Sequence, residues 1–373
     1  MATRRTRSAP AGGRGGEEFD ETLKAIRTRF GENTIHTARE KNQPERISTG
    51  VFILDLALLG GIPHNRVTMI VGERHAGKSL LADKIIANAQ AQYPDMKAVK
   101  IDVEGTHDTV WSSKLGVDPD RLYVFNPETG EAAVDAADAF VRTKEVSLIV
   151  IDSIAALTPM KEIDSSAEDA FMGLQARLVG SLVRKVTSGL IAERNRGHFV
   201  TVLLINQFRS KVGVVYGDPR SIPGGKALEF STSVQLIIKN KEQMGKDEYD
   251  VETVAENEHA FEIKKNKMNT GPRTGEFRVR RVPDDSLGLK EGDVDDATTL
   301  LAYAKKFGAY TGGGSSWTLD FWDEEHTFRG MNDAALHLYQ NRELYWKLRN
   351  FLISEQAKHL KMPDEFIERF YPD

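Results

Sequence analysis

From Ile47 to about Pro283, short apolar runs alternate with segments whose apolar residues recur every three to four positions. That is the pattern of a mostly parallel central sheet flanked by helices on both faces, an α/β fold. The spacing predicts strands over 66–71, 97–103, 122–126, 146–152, 199–206 and 233–239, with helices beginning near Lys78, Asp108, Glu131 and Met172. Residues 240–258 are acidic and lack apolar periodicity, so they read as an exposed hairpin loop. Residues 259–267 and 276–282 read as a further strand pair, joined through Met268 to Gly275. Ahead of this block, Phe19, Leu23, Ile26 and Phe30 repeat at helical spacing before Gly31. Their narrow apolar stripe needs a surface, either on its own domain or on a neighbouring subunit. Behind the block, Asp285, Gly288, Gly292 and Asp293 mark a linker. A small C-terminal module follows, with a helix over Ala297–Lys306, a turn at Gly312-Gly313-Gly314 and helical stretches around 333–340 and 343–361. The chain thus divides into 1–16, 17–46, 47–283 and 284–373.

Composition narrows the chemistry. The 373 residues include no cysteine, which excludes disulfides, thiolate zinc sites and cysteine nucleophiles. No apolar run approaches the ~20 residues of a membrane span, and the N-terminus lacks the apolar core of a signal peptide. The expectation is a cytoplasmic protein without a membrane partner. The net charge of −5 argues against indiscriminate polyanion binding, so any nucleic-acid contact must come from local basic patches. One such patch is the leader, where Arg4, Arg5, Arg7 and Arg14 stand among small residues. It reads as disordered, and either solvated or in contact with a phosphate backbone.

The chemistry begins at Gly72-Glu73-Arg74-His75-Ala76-Gly77-Lys78-Ser79, which matches G-x-x-x-x-G-K-[ST]. It lies between the apolar run Val67–Val71 and a helical segment entered at Leu80. Such a loop turns backbone N–H groups onto phosphate oxygens; Lys78 neutralises the outer phosphates and Ser79 can ligate Mg²⁺. A nucleoside triphosphate is the expected ligand. Leu148-Ile149-Val150-Ile151-Asp152 is an apolar strand ending in a carboxylate suited to holding Mg²⁺ through water. Lys100-Ile101-Asp102-Val103-Glu104 is another strand with acids at its carboxyl end, where ligands of open α/β sheets gather, and either acid could orient the attacking water. Two segments point elsewhere. Phe171–Arg177 opens a helix carrying Arg177 and Arg184 on one face. Ile205–Lys226 mixes cations, apolar side chains and Tyr216 with four glycines and two prolines. It suits single-stranded nucleic acid, or is an ordinary charged surface loop.

Taken in order, these strings resemble the RecA family of homologous-recombination ATPases. The likeness is carried by Ile47–Gly50, the phosphate loop, Asn126–Glu131, Ile151–Pro159, Met172–Arg177, Asn206-Gln207 with its loop, and Lys265-Asn266-Lys267. It implies an ATPase core of RecA type over 47–283, an N-terminal helix-strand polymerisation arm over 17–46, and a small α+β, DNA-interacting C-terminal domain over 284–373. It implies a DNA-dependent ATPase using ATP and Mg²⁺, which forms helical filaments on single-stranded DNA and exchanges strands with double-stranded DNA. A single-strand-binding protein and a loading mediator are further expected partners.

By the same resemblance Glu104 is the catalytic glutamate, with Asp102 the competing choice. Trp111 stacks on adenine with Asp108 near the base; Trp111 as core packing is the alternative. Gln207 senses the γ-phosphate. Lys265 and Lys267 reach the ATP of the adjacent protomer. Met172, Arg177 and Arg184, with Arg209, Lys211, Val212, Tyr216, Gly224, Gly225 and Lys226, form the DNA-binding set. Ser79 and Asp152 hold the metal, and Gly72 to Leu80 cradle the phosphates. The family expects Phe at Tyr216, an arginine at Gln235, and other residues at Gly105-Thr106-His107 and Glu73–Ala76; a long acidic tail is absent. These departures suggest a phage-borne or otherwise divergent member, at work in a bacterial cell or an infected host, and leave repressor cleavage outside the expectation. Related hexameric DNA motors and non-catalytic DNA-binding filament proteins are the competing readings.

Overall fold

The structure, a computed structural model, describes residues 15–37, 44–163, 173–210, 220–246, 252–268 and 271–371. Along the chain come α1 (Gly15–Phe30), β1 (Arg46–Ile47), α2 (Phe52–Leu58), β2 (Ile62–Pro63), β3 (Val67–Gly72) and α3 (Lys78–Gln92). Next are β4 (Lys97–Asp102), α4 (Thr109–Lys114), β5 (Leu122–Phe125), α5 (Gly130–Val141), β6 (Val146–Asp152), α6 (Met160–Ile163) and α7 (Leu174–Asn195). They lead to β7 (Thr201–Gln207), β8 (Arg209–Ser210), β9 (Arg220–Ser221), α8 (Gly225–Ser231), β10 (Val234–Lys246), β11 (Glu252–Asn266) and β12 (Thr274–Arg280). The chain closes with α9 (Ala297–Lys306), β13 (Tyr310–Gly313), β14 (Ser316–Phe321), β15 (Glu324–Phe328), α10 (Met331–Gln340), α11 (Arg342–His359) and α12 (Asp364–Ile367).

Eight strands form one sheet in the order β12-β11-β10-β3-β7-β6-β4-β5. From β10 to β5 every pair is parallel, and β11 and β12 add an antiparallel edge. The central strands are apolar throughout because both faces are covered. Leu148, Val150, Leu203 and Ile205 face a core shared with α2, α3 and the C-terminal elements. Ile149, Ile151, Val202 and Leu204 face the opposite core with α5 and α7. Caps fix the helix starts: Asp108 accepts from Trp111 N, Thr129 from Ala132 N and Asn341 from Leu344 N. The C-terminal elements, a three-stranded antiparallel sheet with helices, are tied to α2 by a buried ion pair between Arg349 and Asp55, 2.5 Å apart.

One expectation changes. Residues 240–246 and 252–258 are strand where a loop was expected: β10 and β11 run on as an antiparallel pair, Asn240 against His259 and Lys246 against Glu252, and 247–251 lie outside the described residues. β10 leaves β3 after Ile238 and β11 leaves β12 beyond Glu256, so residues 244–246 and 252–254 pair only with each other, outside the layered core that imposes apolar alternation. In the expected helix-strand arm, a 3₁₀ turn spans Glu32–Thr34 and Ile35 is extended, pairing with no strand among the described residues of its own chain, as a segment meant for a neighbouring subunit's sheet edge would. On α1, Phe19 and Phe30 are exposed while Leu23 and Ile26 are half-buried. Leader residues 1–14 lie outside the described residues.

Candidate active site

β3 ends at Gly72 and α3 begins at Lys78, so residues 73–77 form the loop between them at the carboxyl edge of the sheet. Gly77 has φ 90°, and a Cβ there would lie 2.3 Å from the His259 ring. Only glycine lets the loop close onto β11 at this point. His259 is buried, stacks on Phe277 at 4.9 Å between ring centroids, and places Nδ1 3.2 Å from the Ala76 carbonyl.

This loop, the ends of β4, β6 and β7, and the β10–β11 hairpin enclose a cleft of about 1220 Å³. Into it come Glu73, Arg74, His75, Ala76, Gly77, Lys78, Ser79, Leu80, Glu104, Trp111, Asp152, Gln207 and Arg209, all named from the sequence. Gly72 ends the strand below it, and Asp108 is spent on capping α4; neither lines the cleft. Lys78 donates to the Glu73 carbonyl at 2.6 Å, within its own loop. Burial pulls its ammonium below the ordinary value, against the opposite pull of Asp152, Glu104 and Glu73. A partly desolvated cation at a helix N-terminus binds phosphate strongly.

Ser79 Oγ donates to Asp152 Oδ2 at 2.8 Å. Burial pushes the Asp152 carboxyl up, opposed first by Lys100, 3.9 Å away, and then by Ser79. Lys100, buried, also reaches Asp83 at 3.3 Å, so it holds the acids beneath the loop as a charged cluster. The Ser79–Asp152 pair fits Mg²⁺ bound largely through water and phosphate oxygens. Among the described residues there is no group of three or more His, Asp or Glu that could hold a metal ion.

The two competing acids of β4 separate. Asp102 is buried and accepts from the backbone N of His107 at 2.9 Å. Glu104 is exposed in the cleft, and its Oε1 accepts from Ser153 Oγ at 2.5 Å and from Gln207 Nε2 at 3.0 Å. Trp111 is half-buried under the Arg281 guanidinium, 4.3 Å from the ring centroid. Arg281, Asn240, Asn257 and Thr106 line the cleft and were not foreseen. For Asn240 a signal existed, since it lies two residues beyond Ile238, the last residue of β10 paired with β3, at the edge where ligands collect.

Lys265 and Lys267 do not enter the cleft of their own chain. They donate to the carbonyls of Glu229 and Phe230 in the last turns of α8. Arg177, Arg184, Arg209 and Lys226 are exposed, and Gly224 and Gly225 open α8 beside α7. Arg209 Nη2 donates to the Ala155 carbonyl at 2.8 Å, and Gln175 Nε2 donates to the same oxygen at 2.9 Å. Met172, Lys211, Val212 and Tyr216 lie outside the described residues.

A phosphate loop on β3–α3, an acid at the end of β6 and a hydrogen-bonded carboxylate just past the end of the neighbouring β4 define a P-loop nucleoside triphosphatase on a mostly parallel sheet. A model of the RecA N-terminal domain matches residues 17–281. The chain is similar to Protein RecA of Bacillus licheniformis, 36% identical over 346 residues, covering 91% of this chain and 90% of the relative. It is also similar to Protein RecA of Bacillus subtilis, 35% identical over 367 residues and 94% and 98% of the two chains. Protein RecA of Corynebacterium efficiens is 38% identical over 348 residues, covering 92% and 84%. The chain belongs to the RecA family of DNA recombination and repair ATPases, which use ATP and Mg²⁺.

Proposed function

We propose that the chain polymerises on single-stranded DNA with ATP between protomers, and pairs that strand with homologous double-stranded DNA. In this reading the amides of residues 73–79 and Lys78 bind the phosphates, and Ser79 and Asp152 hold Mg²⁺, which when bound screens phosphate charge. Glu104 takes the proton of the attacking water, with Ser153 and Gln207 fixing its carboxylate. Asp102 keeps the structural role its burial supports. Trp111 takes the base.

The observation that carries the proposal is the hydrogen bond from Gln207 to Glu104, 3.0 Å long. Gln207 ends β7, and the β8–β9 hairpin begins two residues later at Arg209. A change at the γ-phosphate side of Glu104 therefore reaches the basic hairpin through one side chain and the single intervening residue Phe208. The Ala155 carbonyl, on the cleft wall, supplies a second link, since Arg209 and Gln175 both hold it. Arg177, Arg184, Arg209, Lys211 and Lys226 meet strand phosphates, while Met172, Val212 and Tyr216 contact bases and Gly224-Gly225 let the backbone approach. Base pairing reads the sequence, so binding is sequence-neutral and weakens with salt.

Lys265 and Lys267 serve the ATP of the adjoining protomer, consistent with their distance from their own cleft. Residues 17–46 form the docking arm, supported by exposed Phe19 and Phe30, and Arg74 and His75 at the cleft face the neighbour. Residues 284–373 receive duplex DNA. A single-strand-binding protein and a loading mediator act with it in the cytoplasm; no helix among the described residues is long and apolar enough to cross a membrane. Electron microscopy with ATP and single-stranded DNA tests the assembly. Helical filaments are expected, and closed rings alone would favour a hexameric motor.

A further inference from the structure

We infer that the groove between β1, the end of α3 and the C-terminal helices is a second anion site, in which Arg46 and Arg369 bind a phosphate group. Arg46 is 7% exposed, and none of its three guanidinium nitrogens has a hydrogen-bond partner among the described residues. A buried guanidinium normally lies against a carboxylate or several carbonyls, because stripping it of water without replacement is costly. The adjacent Arg349 shows the usual solution: Nε and Nη2 meet Asp55 Oδ2 at 3.2 and 2.5 Å, and Nη1 meets Asn350 Oδ1 at 2.8 Å. Arg46 has no such acceptor, and it faces a like charge. Its guanidinium and that of Arg369 each lie 5.6 Å from the Phe366 ring centroid. Burial, helped by Arg369, lowers the Arg46 pKa to about 9. An anion set beside Arg46 would supply the acceptors that Arg46 lacks and offset the repulsion from Arg369.

The groove has a volume of about 630 Å³ and is walled by Trp346, Phe366 and Phe370, so it admits a phosphate with a ring attached. Gly60, φ 107°, forms its floor; a Cβ there would lie 3.1 Å from the Phe370 ring and 3.6 Å from Arg46 Cδ. One acid, Glu45, also lines it, and that carboxylate accepts from the Tyr93 hydroxyl at 3.5 Å. The groove shares no residue with the ATP cleft. The phosphate could be free, as inorganic phosphate or a mononucleotide, or a phosphodiester of a nucleic-acid strand.

The test uses the full chain carrying Lys78→Met, which removes the phosphate-loop cation from the comparison. Inorganic phosphate is titrated and followed by phosphorus line broadening and by Tm. Arg46→Met keeps the side-chain volume and should weaken phosphate binding about tenfold or more. Its Tm without phosphate should equal or exceed that of the parent, because an unsatisfied buried cation is gone. Arg369→Ala, at an exposed position, should weaken binding with no loss of fold. Adenosine monophosphate and a short oligothymidylate then separate the sources: the probe whose binding Arg46→Met abolishes at the lower concentration names the ligand. Equal phosphate binding by the parent and Arg46→Met, or a large fall in Tm for Arg46→Met without phosphate, would overturn the assignment.

Discussion

Glu104→Gln separates charge from shape at the proposed base. Ser153 and Gln207 both donate to Glu104 Oε1, and Oε2 makes no protein hydrogen bond among the described residues. A glutamine that keeps its carbonyl oxygen at the Oε1 position retains both bonds, so stability should change by less than about 0.5 kcal/mol. At the Oε2 position an amide NH₂ replaces a proton acceptor. Loss of a general base slows turnover about 10²–10⁴-fold, which corresponds to roughly 3–5 kcal/mol of barrier. The assay is steady-state ATP hydrolysis with saturating single-stranded DNA, alongside ATP affinity by equilibrium titration. Turnover should fall at least about a hundredfold while affinity stays within about threefold. Asp102→Asn is the control: Asp102 is buried against His107 N, so its replacement should lower Tm as well as activity. Turnover of Glu104→Gln within a few-fold of the parent would refute the assignment of the base.

Other outcomes follow from the same geometry. Arg349→Ala leaves Asp55 buried but still accepting from Ser48 Oγ, Thr49 N and Thr49 Oγ1 at 2.6–2.7 Å. The cost should sit at the low end for a broken buried pair, about 3 kcal/mol, and urea unfolding measures it. Burial lowers the pKa of His259 from 6.5 to about 4, so stability is complete above pH 6.5 and is lost as pH falls toward 4. At pH 5 that loss is about 2 kcal/mol, and His259→Phe should remove it, leaving the similar contribution of His64, whose pKa burial also lowers to about 4. Unfolding curves at pH 7 and pH 5 check this; an unchanged pH dependence would contradict it. Mixing Lys78→Ala with Lys265→Ala and Lys267→Ala protomers should restore part of the ATPase activity that each lacks alone, because some shared sites then hold both an intact loop and intact lysines. No restoration at any ratio would place the lysines outside the site.

The central strands and the phosphate loop were legible because their residues answer to local constraints. β3, β6 and β7 are buried on both faces, so they appear as unbroken apolar runs, and the loop needs a glycine at position 77. The helix starts expected near Asp108 and Glu131 match α4 and α5, which the Asp108 and Thr129 side chains cap. The far end of the β10–β11 extension was hidden because residues 244–246 and 252–254, past the edge of β12, form a two-stranded ribbon that imposes no apolar alternation. Choosing between Asp102 and Glu104 on residues alone was out of reach, since both stand at the end of one strand. What separates them is Gln207, 103 residues away in sequence. Arg281 over Trp111 and the unpartnered Arg46 are likewise products of tertiary packing, with no local signature.

The most direct test of the account is strand exchange between circular single-stranded DNA and homologous linear duplex. With ATP and Mg²⁺ the parent protein should form joint molecules, and replacing Gln207 should abolish them while single-stranded DNA binding persists. Joint molecules at parental yield from Gln207→Ala would contradict a mechanism in which the ATP cleft controls the DNA loops through that side chain.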